Sequence, residues 1–321
     1  MYYKNVNIIV TGSSGFIGYH LVKKLLRNGH NIIGVDDNND HYNPALKLER
    51  LKLLSSKNFK FYECDINAID INNEFFDLAI NLAAQPGVRI CKSKEYLYQH
   101  TNVNGFKKFC NFCIENNIDK VIYASSSSVY ADSEKSKFNE STTPLKPKSL
   151  YGKSKLANEI YANELASNSN IKFLGLRFFS VYGPFGRPDM AYYSFANSIK
   201  NKNPISLNNG GSMYRDMTYI DDIIDGILGS IDFIFNSSNK ISNEIFNLGN
   251  NQPIKTTKLL NKIEYFLGEK TSVLNNFTCN ESFKTHADIE KARNLLGYNP
   301  KVFFDEGIEK FLEWYIDYEH K

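Results

Sequence analysis

The sequence predicts an α/β protein built on a doubly wound parallel sheet, with a smaller C-terminal substrate domain. Three features point there. Short runs rich in Val, Ile and Phe recur through the first half, apolar along their whole length, as strands covered on both faces are. Helical stretches alternate with these runs, and that alternation aligns the strands in parallel. A glycine-rich turn joins the first run to the first helix, as in Rossmann dinucleotide-binding domains.

The elements follow in order. "NIIVTG" (7–12) is the first strand and "FIGYHLVKKLLRNG" (16–29) the first helix; "NIIGVDD" (31–37), "FKFYECDI" (59–66) and "FDLAINLAA" (76–84) are the next strands. "YLYQHTNVNGFKKFCNFCIENN" (96–117) reads as a helix, "KVIYASSSS" (120–128) as the fifth strand, "YGKSKLANEIYANELAS" (151–167) as a helix and "IKFLGLRFF" (171–179) as a strand. After Tyr182 the texture changes to Gly, Pro and Asn punctuation with shorter elements, ending in the helix "DEGIEKFLEWYIDYE" (305–319). Residues 1–180 therefore read as a dinucleotide-binding domain and 181–321 as the substrate domain. A returning segment around 218–250, "TYIDDIIDGILGSI" and "EIFNLGN", has the texture of a helix and a strand that rejoin the sheet.

Bulk composition narrows the partners. A chain of 321 residues, 42% hydrophobic and 23% charged, is an ordinary globular protein with room for two domains. Its formal charge of +3 is spread without a Lys/Arg block, which speaks against nucleic acid or an anionic membrane and for a neutral partner or small anion. The N-terminus enters a strand without a secretory apolar run, and no run reaches the length of a membrane span, so a cytoplasmic protein is expected. Five scattered cysteines suit reduced thiols. Cys110 and Cys113 form a C-x-x-C, but they share a helical face with Phe106 and Phe109, which makes them core residues. No metal site is expected, since the histidines lack paired ligand spacing. Asn139 and Asn276 match N-x-S/T by chance.

Gly12, Gly15 and Gly18 stand between the first strand and first helix, where glycine lets the backbone turn tightly and approach a pyrophosphate at the helix N-terminus. Asp36 ends the second strand, 18 residues after Gly18. A carboxylate there accepts both ribose hydroxyls and repels a 2′-phosphate, so the cofactor should be NAD rather than NADP; a plain turn aspartate is the alternative. Tyr151 and Lys155 sit four apart at the start of a helix, on one face. Tyr19 and Lys23 match that spacing equally well, but they sit in the phosphate-facing first helix and read as packing and surface residues.

In chain order, "TGSSGFIG", "CDI", "NLAA", "SSSSVY" and Tyr151-x-x-x-Lys155 resemble the motif series of the extended short-chain dehydrogenases/reductases, the nucleotide-sugar epimerases and dehydratases. The resemblance covers nearly the whole chain. It implies NAD held by Gly12, Gly15, Phe16, Ile17 and Gly18, with Asp65 and Ile66 beside the adenine and Leu82, Ala83 and Ala84 along the cofactor. It makes Tyr151 the acid/base, Lys155 its companion and Ser126 a hydrogen-bonding partner at the reacting oxygen. A free phenol titrates near ~10, and the Lys155 ammonium and the positive nicotinamide are expected to favour its ionised form. The resemblance also implies a UDP-sugar substrate and a homodimer paired through the helix begun at Tyr151.

"VDDNNDHYNPALK", "AAQPGVR", "VYGPFGRPDMAYYSF" and "RDMTYIDD" resemble, more narrowly, the 4-epimerases of UDP-glucuronate within that family. On this resemblance Arg215 meets the UDP diphosphate, Arg89 and Arg187 lie on substrate-side loops, unless they are surface charges, and Asp288 lies near the substrate. Related dehydratases carry Asp-Glu after the catalytic hydroxyl residue and related decarboxylases a glutamate at the place of Ser128. Here Ser127 and Ser128 occupy those places, and with Ser180 they are expected to hold a sugar carboxylate out of line with a 4-keto group; for Ser127 and Ser128, simply filling a tight strand end is the alternative. Pro86, Cys91, Ala131, Phe185 and Met217 depart from the usual pattern, and Pro86, Cys91 and Phe185 border the expected sugar pocket, so an epimerase of UDP-glucose or UDP-N-acetylglucosamine stays open. A dehydratase or decarboxylase, and a non-catalytic NAD-binding sensor, are further alternatives.

Overall fold

The computed structural model describes residues 5–71, 73–88, 90–130, 137–236, 242–276 and 282–320. Arg89 and Ala131 lie outside the described residues. Through the first half the elements run β1 (Asn7–Thr11), α1 (Phe16–Arg27), β2 (Asn31–Asp36), α2 (Ala45–Lys52), β3 (Phe59–Glu63), β4 (Leu78–Asn81), α3 (Gly105–Glu115), β5 (Lys120–Ser126), α4 (Leu150–Asn168) and β6 (Lys172–Phe178). Then come β7 (Ser180–Tyr182), α5 (Ala191–Lys200), β8 (Ile205–Asn208), β9 (Tyr214–Tyr219), α6 (Ile220–Asn236), β10 (Asn243–Leu248), β11 (Pro253–Lys255), α7 (Thr256–Leu267), β12 (Val273–Asn276), α8 (Glu290–Leu296) and α9 (Phe304–Glu319).

Seven strands form one sheet in the order β10-β6-β5-β4-β1-β2-β3, and every pairing in it is parallel. Alternate residues of each strand face opposite sides, so one strand feeds two cores. Ile8 and Val10 of β1 pack in one apolar cluster and Ile9 in the other; Leu78 and Ile80 of β4 divide from Ala79 in the same way. Burying each Ile, Val or Leu side chain among these contributes roughly 1.5–3 kcal/mol, which offsets the ordering of the chain. Chain direction across the sheet reverses between β1 and β4, and this switch point opens a crevice at the strands' C-terminal ends. Thr11 Oγ1 donates to Asn81 Oδ1 (2.6 Å) across it.

A three-stranded sheet, β11-β9-β7, and a two-stranded sheet, β12-β8, lie beyond. Their helices share the first cluster: Phe304, Ile308, Phe311 and Leu312 of α9 pack in the same core as Val10 and Leu176. The stretch read as one helix over 96–117 differs from that expectation. Residues Tyr98–Asn104 form a π-helical turn and α3 begins only at Gly105. The wider turn carries Asn102, whose Oδ1 accepts from Gln85 N (2.7 Å) and whose Nδ2 donates to Ser154 Oγ (2.9 Å), tying the loop after β4 to α4.

Candidate active site

A cavity of about 520 Å³ occupies the crevice, reaching from the β1 turn to the segment around Ser282 and Thr285. Its floor at one end is the glycine turn. Gly12 adopts φ +71°, and a Cβ there would stand 2.6 Å from Ala83 N; a Cβ on Gly18 would stand 2.0 Å from Gly12 O. Only glycine allows this backbone cradle. The N-cap of α1 is Gly15, with no side-chain cap and no acidic residue in the first turn, which leaves N–H groups and the positive helix end for an anion. Asp36 is buried at the end of β2 and accepts from Ser14 N (3.1 Å) and Asn38 N (3.0 Å), with Lys47 Nζ 3.7 Å from its Oδ1. A cradle without side chains beside a buried carboxylate fits a dinucleotide diphosphate and its ribose.

At the other end α4 starts against the turn that follows β5. Ser149 caps it, accepting from Gly152 N (3.0 Å), and a Cβ on Gly152 would lie 2.3 Å from Ser128 O. That contact seats the half-buried Tyr151 beside Ser126, and both line the cavity. Ser126 Oγ also accepts from Ser128 N (3.1 Å). Burial pushes the Tyr151 phenol above its ordinary range, against the opposing pull of Arg187 and then of the Ser126 hydrogen bond. Lys155 is buried, donates to Ala124 O (2.9 Å) and is pushed down to about 8 by desolvation.

Residues 8–249 match the model of the NAD dependent epimerase/dehydratase family. The chain belongs to that family. Among its similar relatives are an uncharacterised protein of Methanocaldococcus jannaschii, 40% identical over 98% of this chain and 97% of the relative, and UDP-glucuronate 4-epimerase 1 of Arabidopsis thaliana, 37% identical over 98% of this chain and 77% of the relative. The UDP-glucuronic acid 4-epimerase of Bacillus cereus, solved with UDP-glucuronic acid and NAD, superposes with a TM-score of 0.90 at 30% identity, covering 98% of this chain and 100% of its own. A Tyr-to-Phe variant of that enzyme has been solved with UDP-4-deoxy-4-fluoro-glucuronic acid and NAD.

In this epimerase/dehydratase chain, Gly12, Gly15, Phe16, Ile17, Gly18, Asp36, Asp65, Ile66, Leu82, Ala83, Ala84, Ser126, Ser127, Ser128, Tyr151, Lys155, Ser180, Arg187 and Arg215 all line the one cavity. The Asp65 carboxylate is already engaged, with Asn67 N (2.7 Å) and His100 Nε2 (2.8 Å). Arg215 Nη1 donates to Tyr214 O and Ser282 O, each at 2.9 Å. Asp288 is not in the cavity wall: its carboxylate accepts from Asn139 Nδ2 (2.9 Å) and from Glu290 N (3.1 Å) at the start of α8.

The Lys155 ammonium lies over the Tyr151 ring, 6.0 Å from its centroid, while donating to Ala124 O, and Arg187 adds a second positive charge that pulls the phenol down. A direct tyrosine–lysine hydrogen bond forms at the other pair, where Lys23 Nζ donates to Tyr19 Oη (3.1 Å) on α1, outside the cavity.

Sequence reasoning missed the groups that support Arg187. Arg187 forms two bonds to Asp189, at 3.0 and 2.5 Å, and His41 Nε2 lies 3.5 Å from the same carboxylate. Against burial, which raises it, Arg187 and His41 hold the Asp189 carboxyl well below the usual range. Lys47 and Arg50 were likewise missed, although their three-residue spacing on α2 is a signal that two long cations share one face.

Proposed function

We propose that this chain interconverts UDP-glucuronate and UDP-galacturonate through a 4-keto sugar, with NAD as its cofactor. One observation carries the reading: Tyr151, Ser126, Lys155 and Arg187 line the same cavity as the glycine cradle of Gly12, Gly15 and Gly18. Bound NAD takes hydride from carbon 4 and returns it to the opposite face, so no outside oxidant is consumed. Tyr151 removes the proton of the sugar 4-hydroxyl as that hydride leaves and restores it afterwards, while Ser126 hydrogen-bonds the same oxygen. Arg215 holds the diphosphate, as a guanidinium suits phosphate oxygens.

Oxidation of a glucuronate at carbon 4 gives a β-keto acid, which loses CO₂ when its carboxylate bond aligns with the carbonyl π system. Ser127, Ser128 and Ser180 supply hydroxyl donors at the cavity wall and keep that carboxylate out of alignment. With serines where a dehydratase needs carboxylates, proton abstraction at carbon 5 is disfavoured.

The cofactor part is assigned to residues 1–180 with the segment around 218–250, and the substrate part to the remainder of 181–321. The enzyme acts as a homodimer, supported by the exposed apolar side chains Ile114 on α3 and Leu150 and Ile160 on α4. A cytoplasmic location is supported by the four free cysteines among the described residues. No helix among the described residues is long and apolar enough to cross a membrane.

The test is incubation with UDP-glucuronate and resolution of UDP-galacturonate, UDP-pentose and 4-keto products. UDP-galacturonate is the expected product; turnover of UDP-N-acetylglucosamine in preference would transfer the reading to the N-acetylated sugar. Bound NAD without transient NADH absorbance on adding a sugar nucleotide would make the protein a sensor.

A further inference from the structure

Arg50 is a buried charge that the proposed chemistry does not touch. It lies on α2 at 0% exposure, and its partners are uncharged. Nη1 donates to Ser14 O (2.9 Å) and Tyr42 Oη (2.6 Å), and Nη2 to Phe185 O (2.7 Å) and Gly186 O (3.3 Å). Ser14 belongs to the glycine turn of the cofactor cradle; Phe185 and Gly186 precede Arg187. Burying a guanidinium without a counter-charge costs several kcal/mol, and an apolar side chain of similar volume would fill the space at less cost. A planar fork that reaches two elements at once is the property such a replacement lacks.

The turn that Arg50 holds is itself strained. Phe185 sits at φ +55°, in the left-handed region that a bulky L residue avoids. Its ring is held by Tyr19 (5.1 Å between centroids) and Trp314 (4.9 Å), while Arg50 holds its carbonyl. Arg187 follows two residues later. The groups facing Tyr151 are Ser126 from β5, Lys155 on its own helix, Tyr98 from the π-helical turn (rings 6.2 Å apart), and Arg187, which carries Asp189 and through it His41. Of these, Arg187 stands on the strained turn.

We propose that Arg50 is a positioning residue: by clamping the carbonyls of Phe185 and Gly186 to the cofactor turn at Ser14, it fixes where Arg187 stands relative to the Tyr151 phenol. The inference rests on the reading of Tyr151 as the base. It places a determinant of the reaction's pH range on a residue that lies outside the cavity wall and does not touch the Tyr151 phenol.

The test uses the NAD-loaded enzyme and Arg50→Lys, whose single ammonium cannot span both elements. With Arg187 displaced, the limb of the kcat/KM against pH profile that reports Tyr151 moves up by about one unit, and kcat/KM at neutral pH falls about tenfold. In an Arg187→Met background the same substitution adds less than about twofold, because the effect travels through Arg187. An unmoved limb, or an undiminished effect without Arg187, overturns the proposal. Ultraviolet titration of the phenol, taken as a difference against Tyr151→Phe, needs no substrate. If UDP-glucuronate is not turned over but this absorbance step moves in Arg50→Lys, the functional reading falls and the inference stands. If Arg50→Lys does not fold, Tyr42→Phe removes one of the four bonds and moves the step in the same direction by less; no movement overturns the inference.

Discussion

Lys155 shows how burial shifts a charge. Its ammonium is pushed down to about 8 because burial strips it of water, with one hydrogen bond to Ala124 O and the Tyr151 ring beside it. The sign follows from proton counts. Between about 8 and the ordinary 10.5 the unfolded chain binds more protons here than the folded one, so stability rises with pH across that window. The folding penalty is full below about 8 and fades towards 10.5. Lys155→Met is therefore expected to raise the melting temperature at neutral pH, with the gain shrinking in alkaline buffer, while turnover is lost; paired melting curves across that range check it. Tyr151→Phe removes the proton-transfer group and is expected to lower kcat by about a hundredfold or more without loss of NAD retention, measured by turnover and by nucleotide content. Ser128→Ala and Ser128→Glu are expected to raise CO₂ release relative to epimerised product. An unchanged ratio in both would remove the serines from control of the keto acid.

At the scale of elements, α4 is placed by its first turn. Ser149 satisfies Gly152 N, and the missing side chain of Gly152 lets the helix start 2.3 Å, measured from an imagined Cβ, from Ser128 O. Ser149→Ala is expected to cost about 1 kcal/mol in urea unfolding, as loss of an N-cap does. Gly152→Ala forces α4 and the turn after β5 apart and should lower kcat more than it lowers stability, because it separates Tyr151 from Ser126. The π-helical turn adds a second tether through Asn102. That irregularity was not legible in the sequence: an extra residue per turn leaves the apolar pattern of α3 intact and is decided by the Gln85 and Ser154 partners it meets. By contrast β1, β2, β4 and β5 were legible, because apolar runs of strand length need no partner to be recognised.

Over the whole molecule, one core joins the cofactor and sugar-side elements. Asp216 on β9 is a joint in it: its carboxylate accepts from Asn250 N (2.7 Å), Asn251 N (3.0 Å) and Ala287 N (2.8 Å). Burial raises its pKa to about 6 in spite of those three donors. Asp216→Ala leaves the donors without acceptors and is expected to cost roughly 2 kcal/mol or more in urea unfolding; weakened UDP-sugar binding in the same variant would support the proposed diphosphate role of Arg215, one residue away.

The sequence by itself determined the alternating elements, the glycine turn and Asp36, since each depends on neighbours a few residues apart; Ser126 and Tyr151 were candidates only through the ordered motif series they belong to. Of its two tyrosine–lysine pairs, the motif series rather than the spacing singled out Tyr151. Only the tertiary structure decided that Lys23 donates to Tyr19, that Lys155 lies over the Tyr151 ring while donating to a carbonyl, and that Arg187 stands near enough to act on Tyr151. Only it brought Arg50 to a turn 135 residues away. Long-range pairing depends on where the packed chain excludes water and which partners remain, and local spacing carries no record of either.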